Sequence, residues 1–217
     1  MKIDAIRKTI SLLNQGKLSF ILAGVRKRIL SQNKAYGLKR DLTVAFKNPD
    51  ALLPLSIRPF KKEDDQYFTS DNYNQGIIEA NFNTCFVACT KEGTPCYRQW
   101  LMGYDQNEKI QSFWNKSFPI LGADEALLEN AFTIPEFRGK RIMPAAMARI
   151  AKKGKGMGAR YIITFVGIQN IPSLKGCKRC GFMPYVLRTE SWFLFRKKVK
   201  FEPLDQTLHD DFALKTS

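Results

Sequence analysis

A proline ends one apolar run and a glycine-containing turn leads into the next between Glu129 and Met143. That junction limits the folds open to this chain more than any other feature. Leu127 to Ile134 reads as a β-strand closed by Pro135, and Ile142 to Lys153 reads as a helix, with Phe137-Arg138-Gly139-Lys140-Arg141 between them. A strand that turns straight into a helix asks for a sheet covered by helices. The rest of the chain agrees. Leu55 to Pro59 is a short strand ended by proline, and Lys62-Glu63-Asp64-Asp65 opens a helical stretch with acidic residues near its positive end. Cys85–Cys89 and Cys96–Met102 form a hairpin across Lys91 to Pro95. Tyr161–Val166 is an apolar strand, a helix begins near Ile171-Pro172, and a closing hairpin is predicted around Tyr185–Leu187 and Trp192–Phe195. Residues 105–126 hold Trp114 and Phe118 among polar residues and receive no assignment. The predicted class is therefore α/β, or α+β.

From Ile3 to Leu30 apolar residues recur at helical spacing, first Ile6, Ile10 and Leu13, then Phe20, Ile21, Val25 and Ile29, with Gly16 as a break between two helices. Arg26, Lys27 and Arg28 make the second of these basic, a composition that also suits an interfacial helix. A loop rich in polar residues follows, through Asn48-Pro49 and Pro54, where proline excludes regular helix. These signals divide the chain into a basic helical N-terminal arm over residues 1–50 and a main domain over 51–217. No apolar stretch reaches the length of a membrane span and no cleavable leader pattern opens the chain, so a soluble, cytoplasmic protein with reduced thiols at its five cysteines is expected.

Charge is spread unevenly: residues 137–200 hold 16 basic residues and one acidic residue in a chain of net charge +15. Such a segment suits an anionic partner, whether a nucleic acid, an anionic membrane surface or a phosphorylated cofactor. Free N–H groups at the start of the helix at Ile142, together with Arg138, Lys140 and Arg141, make an anion site suited to a diphosphate. Cys177-x-x-Cys180 has a metal-ligand spacing, but no second pair and no suitably placed histidine follows, so no metal is expected. The lone His209, in an acidic tail, reads as a surface residue.

Pro135-Glu136-Phe137-Arg138-Gly139-Lys140 resembles the pyrophosphate loop of the GNAT superfamily of acyl-CoA-dependent N-acyltransferases, which reads Arg/Gln-x-x-Gly-x-Gly/Ala after a strand. Arg141 and Met143 depart from it, standing where that family has small residues. Asn170-Ile171-Pro172-Ser173, followed eight residues after the serine by Gly181-Phe182, resembles a second GNAT pattern, and the likeness runs from about residue 55 to about 200. It implies a mixed, mostly antiparallel central sheet flanked by helices, acetyl-CoA or another acyl-CoA as co-substrate, a small-molecule amine acceptor and no metal. It further implies that Arg138, Gly139, Lys140, Arg141, Ile142 and Met143 hold the diphosphate, that backbone N–H groups of Phe132, Thr133 and Ile134 bond the pantetheine and the carbonyl, and that Asn170 and Ser173 lie by the pantetheine arm. Glu129 stands where some GNAT enzymes carry a general base, with Glu79 and Glu125 as weaker candidates. Strand alternation would put Glu129, Ala131 and Thr133 on one face and send Phe132 and Ile134 into the core. Cys177 takes the position of the family's general-acid tyrosine. It would protonate the leaving thiolate, take the acyl group covalently or be an inert substitution.

The expected function is acyl transfer to an amine. Its rivals are a basic nucleic-acid-binding protein, which lacks a recognition helix here, and a non-catalytic acyl-CoA-binding or membrane-surface protein on the same fold. Nucleic acid is not an expected partner, whereas peripheral membrane contact through the N-terminal arm is compatible with its composition.

Overall fold

In the computed structural model, which describes residues 25–217 except 27, 72–74 and 83, eight strands form one sheet. They are β1 (Leu30–Asp41), β2 (Ser56–Pro59), β3 (Cys85–Cys89), β4 (Pro95–Gly103), β5 (Glu125–Thr133), β6 (Tyr161–Gly167), β7 (Met183–Phe193) and β8 (Arg196–Glu202). Their spatial order is β2-β3-β4-β5-β6-β1-β7-β8, and every neighbouring pair is antiparallel except β5 and β6. The helices are α1 (Gln75–Glu79), α2 (Asn107–Phe113), α3 (Ile142–Lys153), α4 (Ile171–Arg179) and α5 (Gln206–Thr216). The mixed, mostly antiparallel sheet flanked by helices is thus present. Hydrophobic residues cover both faces of the sheet, as a layered domain requires. On one side α3, α4 and α5 bury Ala146, Ile150, Leu174 and Phe212 against Tyr36, Leu38, Tyr97 and Leu128. On the other, Ile77 and Ile110 of α1 and α2 pack with Trp100, Met102, Leu127 and Phe165.

Three local features depart from the sequence reading. The first is β1. A polar connection was expected between residues 31 and 54, yet Leu30–Asp41 is a strand between β6 and β7 with Tyr36 and Leu38 fully buried. Its polar residues are accommodated individually: Lys39 pairs with Glu125 at 2.9 Å and lies over the Tyr161 and Tyr185 rings, and Arg40 is buried over the Phe46 ring. Gly37 permits the approach of β7, since a Cβ there would lie 2.4 Å from Val186 Cγ1. The expected boundary near residue 50 therefore does not separate Leu30–Asp41 from the sheet. The two helices expected between Ile3 and Leu30 lie outside the described residues apart from their last few positions.

The second departure is the closing hairpin. Trp192 and Phe193 end β7, Leu194 and Phe195 make the turn, and the returning strand is Arg196–Glu202. The third is the acidic tail, which is α5. Asp205 caps it by accepting from the Leu208 N–H at 2.8 Å, and Phe212 packs edge-on against Tyr36, whose hydroxyl donates to Asp211 at 2.6 Å. His209 stands exposed on that helix. The unassigned stretch 105–126 contains α2, with Trp114 and Phe118 in a chain of edge-to-face rings that continues to Phe165.

Candidate active site

β5 and β6 pair over only three residues, Glu125 to Leu127 against Tyr161 to Ile163, and then separate. A bulge drives the separation. Trp100 faces Glu129 and Arg98 faces Phe132, so β5 carries one extra residue between these pairs, and Asn130 takes up the kink with φ 57°. The bulge also resets the alternation. Glu129 and Phe132 now stand opposite residues on the same face of β4, so the expected grouping of Glu129 with Ala131 and Thr133 does not hold.

Beyond the bulge the parted strands enclose a recess of about 220 Å³, lined by Glu129, Gln99, Thr164 and Cys177 among others. Glu129 is held in it by the Phe165 N–H, donating at 2.6 Å, and the Thr164 hydroxyl at 3.3 Å. Burial pushes its carboxyl up to about 7, against the lowering pull of the Phe165 N–H and the Arg188 guanidinium. A carboxylate in that range exchanges protons near neutrality, which is what a general base needs. Glu125 is at the far end of the strand, bound by Lys39 and the Gly122 N–H and held below the usual carboxylate range by those bonds against the opposing effect of burial. Glu79 borders a separate cavity with Asp65 and Arg98.

The recess continues into a groove of about 600 Å³ between the end of β5 and the starts of α3 and α4, the two sharing Ala131, Met143, Asn170 and Ser173. Arg138, Gly139, Arg141 and Ile142 line this groove, as do Phe132 and Thr133, while Lys140 stands beside it with its ammonium 5.0 Å from the Phe137 ring centre. Gly139 has φ 77° and open space where a Cβ would be, and Arg141 is left-handed at φ 56° as the residue before α3. The loop is pinned by the Leu52 N–H on the Lys140 carbonyl and by Arg138 Nε on the Thr133 carbonyl. Arg138, Lys140 and Arg141 are exposed, and none is in an ion pair among the described residues. Free N–H groups of Ile142 and Met143 open α3, though Pro144 removes the next donor. This donor set fits a diphosphate.

Two positions differ from their expected parts. The Ile134 N–H already donates to the Cys96 carbonyl and its side chain is core, so it offers the groove no donor. N–H groups alternate along a strand, so Thr133 turns its own N–H away from β4, toward the gap. Asn170 caps α4, its Oδ1 accepting from the Ser173 N–H at 3.3 Å, and so positions the helix whose Gly176 lets Met143 pass within 3.0 Å of a would-be Cβ.

The core match decides the family: residues 50–182 fit the acetyltransferase (GNAT) family model. The chain belongs to the GNAT family. Solved structures with the same fold include a glucosamine N-acetyltransferase region of a fungal multi-domain β-N-acetylglucosaminidase (TM-score 0.54, 14% identity, 82% of this chain and 23% of that one). A Drosophila protein (TM-score 0.52, 16% identity, 86% and 59%) and a GNAT acetyltransferase from Colwellia psychrerythraea (0.51, 14%, 86% and 62%) are similar as well. The chain thus spans less than two thirds of the length of these solved chains. Comparison with curated proteins found no match.

In this GNAT chain Cys177 is fully buried, its thiol in contact with the Met147 sulfur at 3.8 Å, and burial holds its pKa well above the ordinary thiol value. A thiol kept protonated in this way is a poor nucleophile. Cys180 is buried separately and donates to the Gly176 carbonyl at 3.2 Å. Sequence reasoning missed Thr164 and Phe165, which fix Glu129, and Gln99, which accepts the Tyr97 hydroxyl at 2.5 Å opposite the bulge. Gln99 carried a signal, being an uncharged polar residue inside the apolar run Cys96–Met102.

Proposed function

We propose that this GNAT protein is an N-acetyltransferase that moves an acetyl group from acetyl-CoA to the amine of a small-molecule acceptor, with Glu129 as general base. The observation that carries the reading is continuity: a carboxyl raised to about 7 sits in the same cleft as the cationic loop that precedes α3. The Arg138, Lys140 and Arg141 side chains and the Ile142 and Met143 N–H groups would hold the phosphates, and the Thr133 N–H would face the thioester end. Glu129 would take the proton of the attacking amine, directly or through water. No helix among the described residues is long and apolar enough to cross a membrane. With five free, buried cysteines, we place the reaction in the cytoplasm.

Acetyl-CoA at 100 times its dissociation constant stabilises the fold by about 2.7 kcal/mol, which raises Tm by roughly 5–11 °C for a chain of this size. Dephospho-CoA, lacking one phosphate, is expected to raise it less. No thermal shift at millimolar acetyl-CoA would remove the donor assignment. Cys177→Ser is expected to keep most of the turnover, and intact-protein mass spectrometry after acetyl-CoA alone should show no hydroxylamine-labile adduct on Cys177. An adduct together with an inactive serine variant would make the cysteine an acyl carrier instead.

A further inference from the structure

The tip of the β7–β8 hairpin is built against its own backbone preference. Leu194 and Phe195, the two central residues, have φ of 44° and 64°. That is the type I′ geometry which Asn and Gly adopt easily and which bulky side chains adopt under strain. The fold gains little from these side chains, which are 59% and 58% exposed. Phe193, Leu30 and Ile29 extend the same apolar surface, at 63%, 72% and 43% exposed. The Leu194 N–H donates to the Ile29 carbonyl, and Phe193 stands directly opposite Leu30, so these residues form one fixed patch.

The sheet register sets cations behind it. Phe193 faces Leu30 on one side and Arg196 on the other; two residues on, Ser191 faces Gln32 and Lys198; two further, Thr189 faces Lys34 and Lys200. Side chains two residues apart share a face, so Arg196, Lys198, Lys200 and Lys34 stand on the same face as Leu30 and Phe193, with no carboxylate in those three rows. All four are exposed, and none is in an ion pair among the described residues. Protruding apolar side chains and a cationic field beside them are the two signals that together hold a protein on a bilayer of negative lipids, where either alone is weak. A nucleic acid would satisfy the cations but leave the strained apolar tip without a role.

We propose that the chain docks on anionic membrane surfaces through this hairpin, with Leu194 and Phe195 entering the headgroup region and Arg196, Lys198, Lys200 and Lys34 facing lipid phosphates. A cavity of about 860 Å³ bordered by Gln32 and Lys34 shares Gly167 and Asn170 with the Glu129 recess, so docking would set that mouth beside the bilayer.

Flotation of the full chain with vesicles tests this without reference to catalysis. Binding to phosphatidylcholine vesicles containing phosphatidylglycerol should exceed binding to phosphatidylcholine alone by at least about tenfold. The double variant Leu194→Asn/Phe195→Gly should lose at least about tenfold of that binding while its Tm rises, because the turn gains its preferred residues as the apolar tip is removed. Opposite signs in the two readouts separate loss of docking from loss of folding. Lys198→Glu/Lys200→Glu should also weaken flotation. The proposal is overturned if the wild type does not float with anionic vesicles or if the Asn-Gly variant floats as well as wild type. It is equally overturned if the wild type sediments as a dimer that the Asn-Gly variant dissolves, which would give the patch to a second copy.

Discussion

Glu129→Gln is expected to lower the rate of acyl transfer roughly 10²–10⁴-fold while leaving acetyl-CoA affinity intact, because the amide keeps the size of the side chain and cannot accept a proton. The pH profile gives a second readout. The base works ionised, so wild-type kcat/KM should rise with pH through about 7, where burial has placed this carboxyl, and the glutamine variant should lack that limb. Stability follows the same shift with a fixed sign. A carboxyl raised from 4.5 to about 7 in the fold contributes stability that is complete below 4.5 and is lost as pH climbs through about 7. The variant has no such loss, so its Tm should gain on wild type across that interval. Turnover unchanged in Glu129→Gln would move the base elsewhere in the cleft.

Arg98→Met is expected to destabilise the fold by about 3–5 kcal/mol, a fall in Tm of roughly 6–20 °C by thermal unfolding. Arg98 is buried in β4, lies over the Phe68 ring at 4.5 Å and binds Asp71 at 3.0 Å, with the Asp71 side chain 1% exposed. Removing the cation takes the guanidinium away from a buried carboxylate, whereas Arg98→Met with Asp71→Leu removes both charges and should recover much of the loss. A double variant no more stable than the single one would show that Asp71 is held by other partners.

What the sequence made legible is what local chemistry fixes. Pro135 and Gly139 marked the strand–turn–helix junction, the α3 bounds fell where the sequence put them, and the Cys85–Met102 hairpin formed because its two strands are neighbours in the chain joined by a short turn. β1 was hidden for the opposite reason. Its sequence, Leu30-Ser-Gln-Asn-Lys-Ala-Tyr-Gly-Leu-Lys-Arg-Asp, is polar by composition, and its burial depends on partners more than 80 residues away such as Glu125, Tyr185 and Val186. The site divided in the same way. Glu129, Arg138, Gly139, Arg141 to Met143 and Asn170 carried local signals and come together in one cleft, whereas the bulge at Asn130 has no local signature and re-aimed the residues after it. Thr164 and Phe165 serve Glu129 through a hydroxyl and a backbone N–H, of which the second leaves no trace in residue identity.

The position of β1 also sets a clock on synthesis. Its partners are Tyr161 to Gly167 and Met183 to Phe193, so the first of the described strands to leave the ribosome cannot be fully seated until β7 is made. At about 5–20 residues per second, the 163 residues from Leu30 to Phe193 take roughly 8–33 s to make. Once β5 is made, the β2–β5 portion ends at an unpaired edge until β6 follows, and the Tyr36–Leu38 stretch waits in solvent for its own partners. A nascent chain of this kind is a natural client for whatever shields open strands during translation.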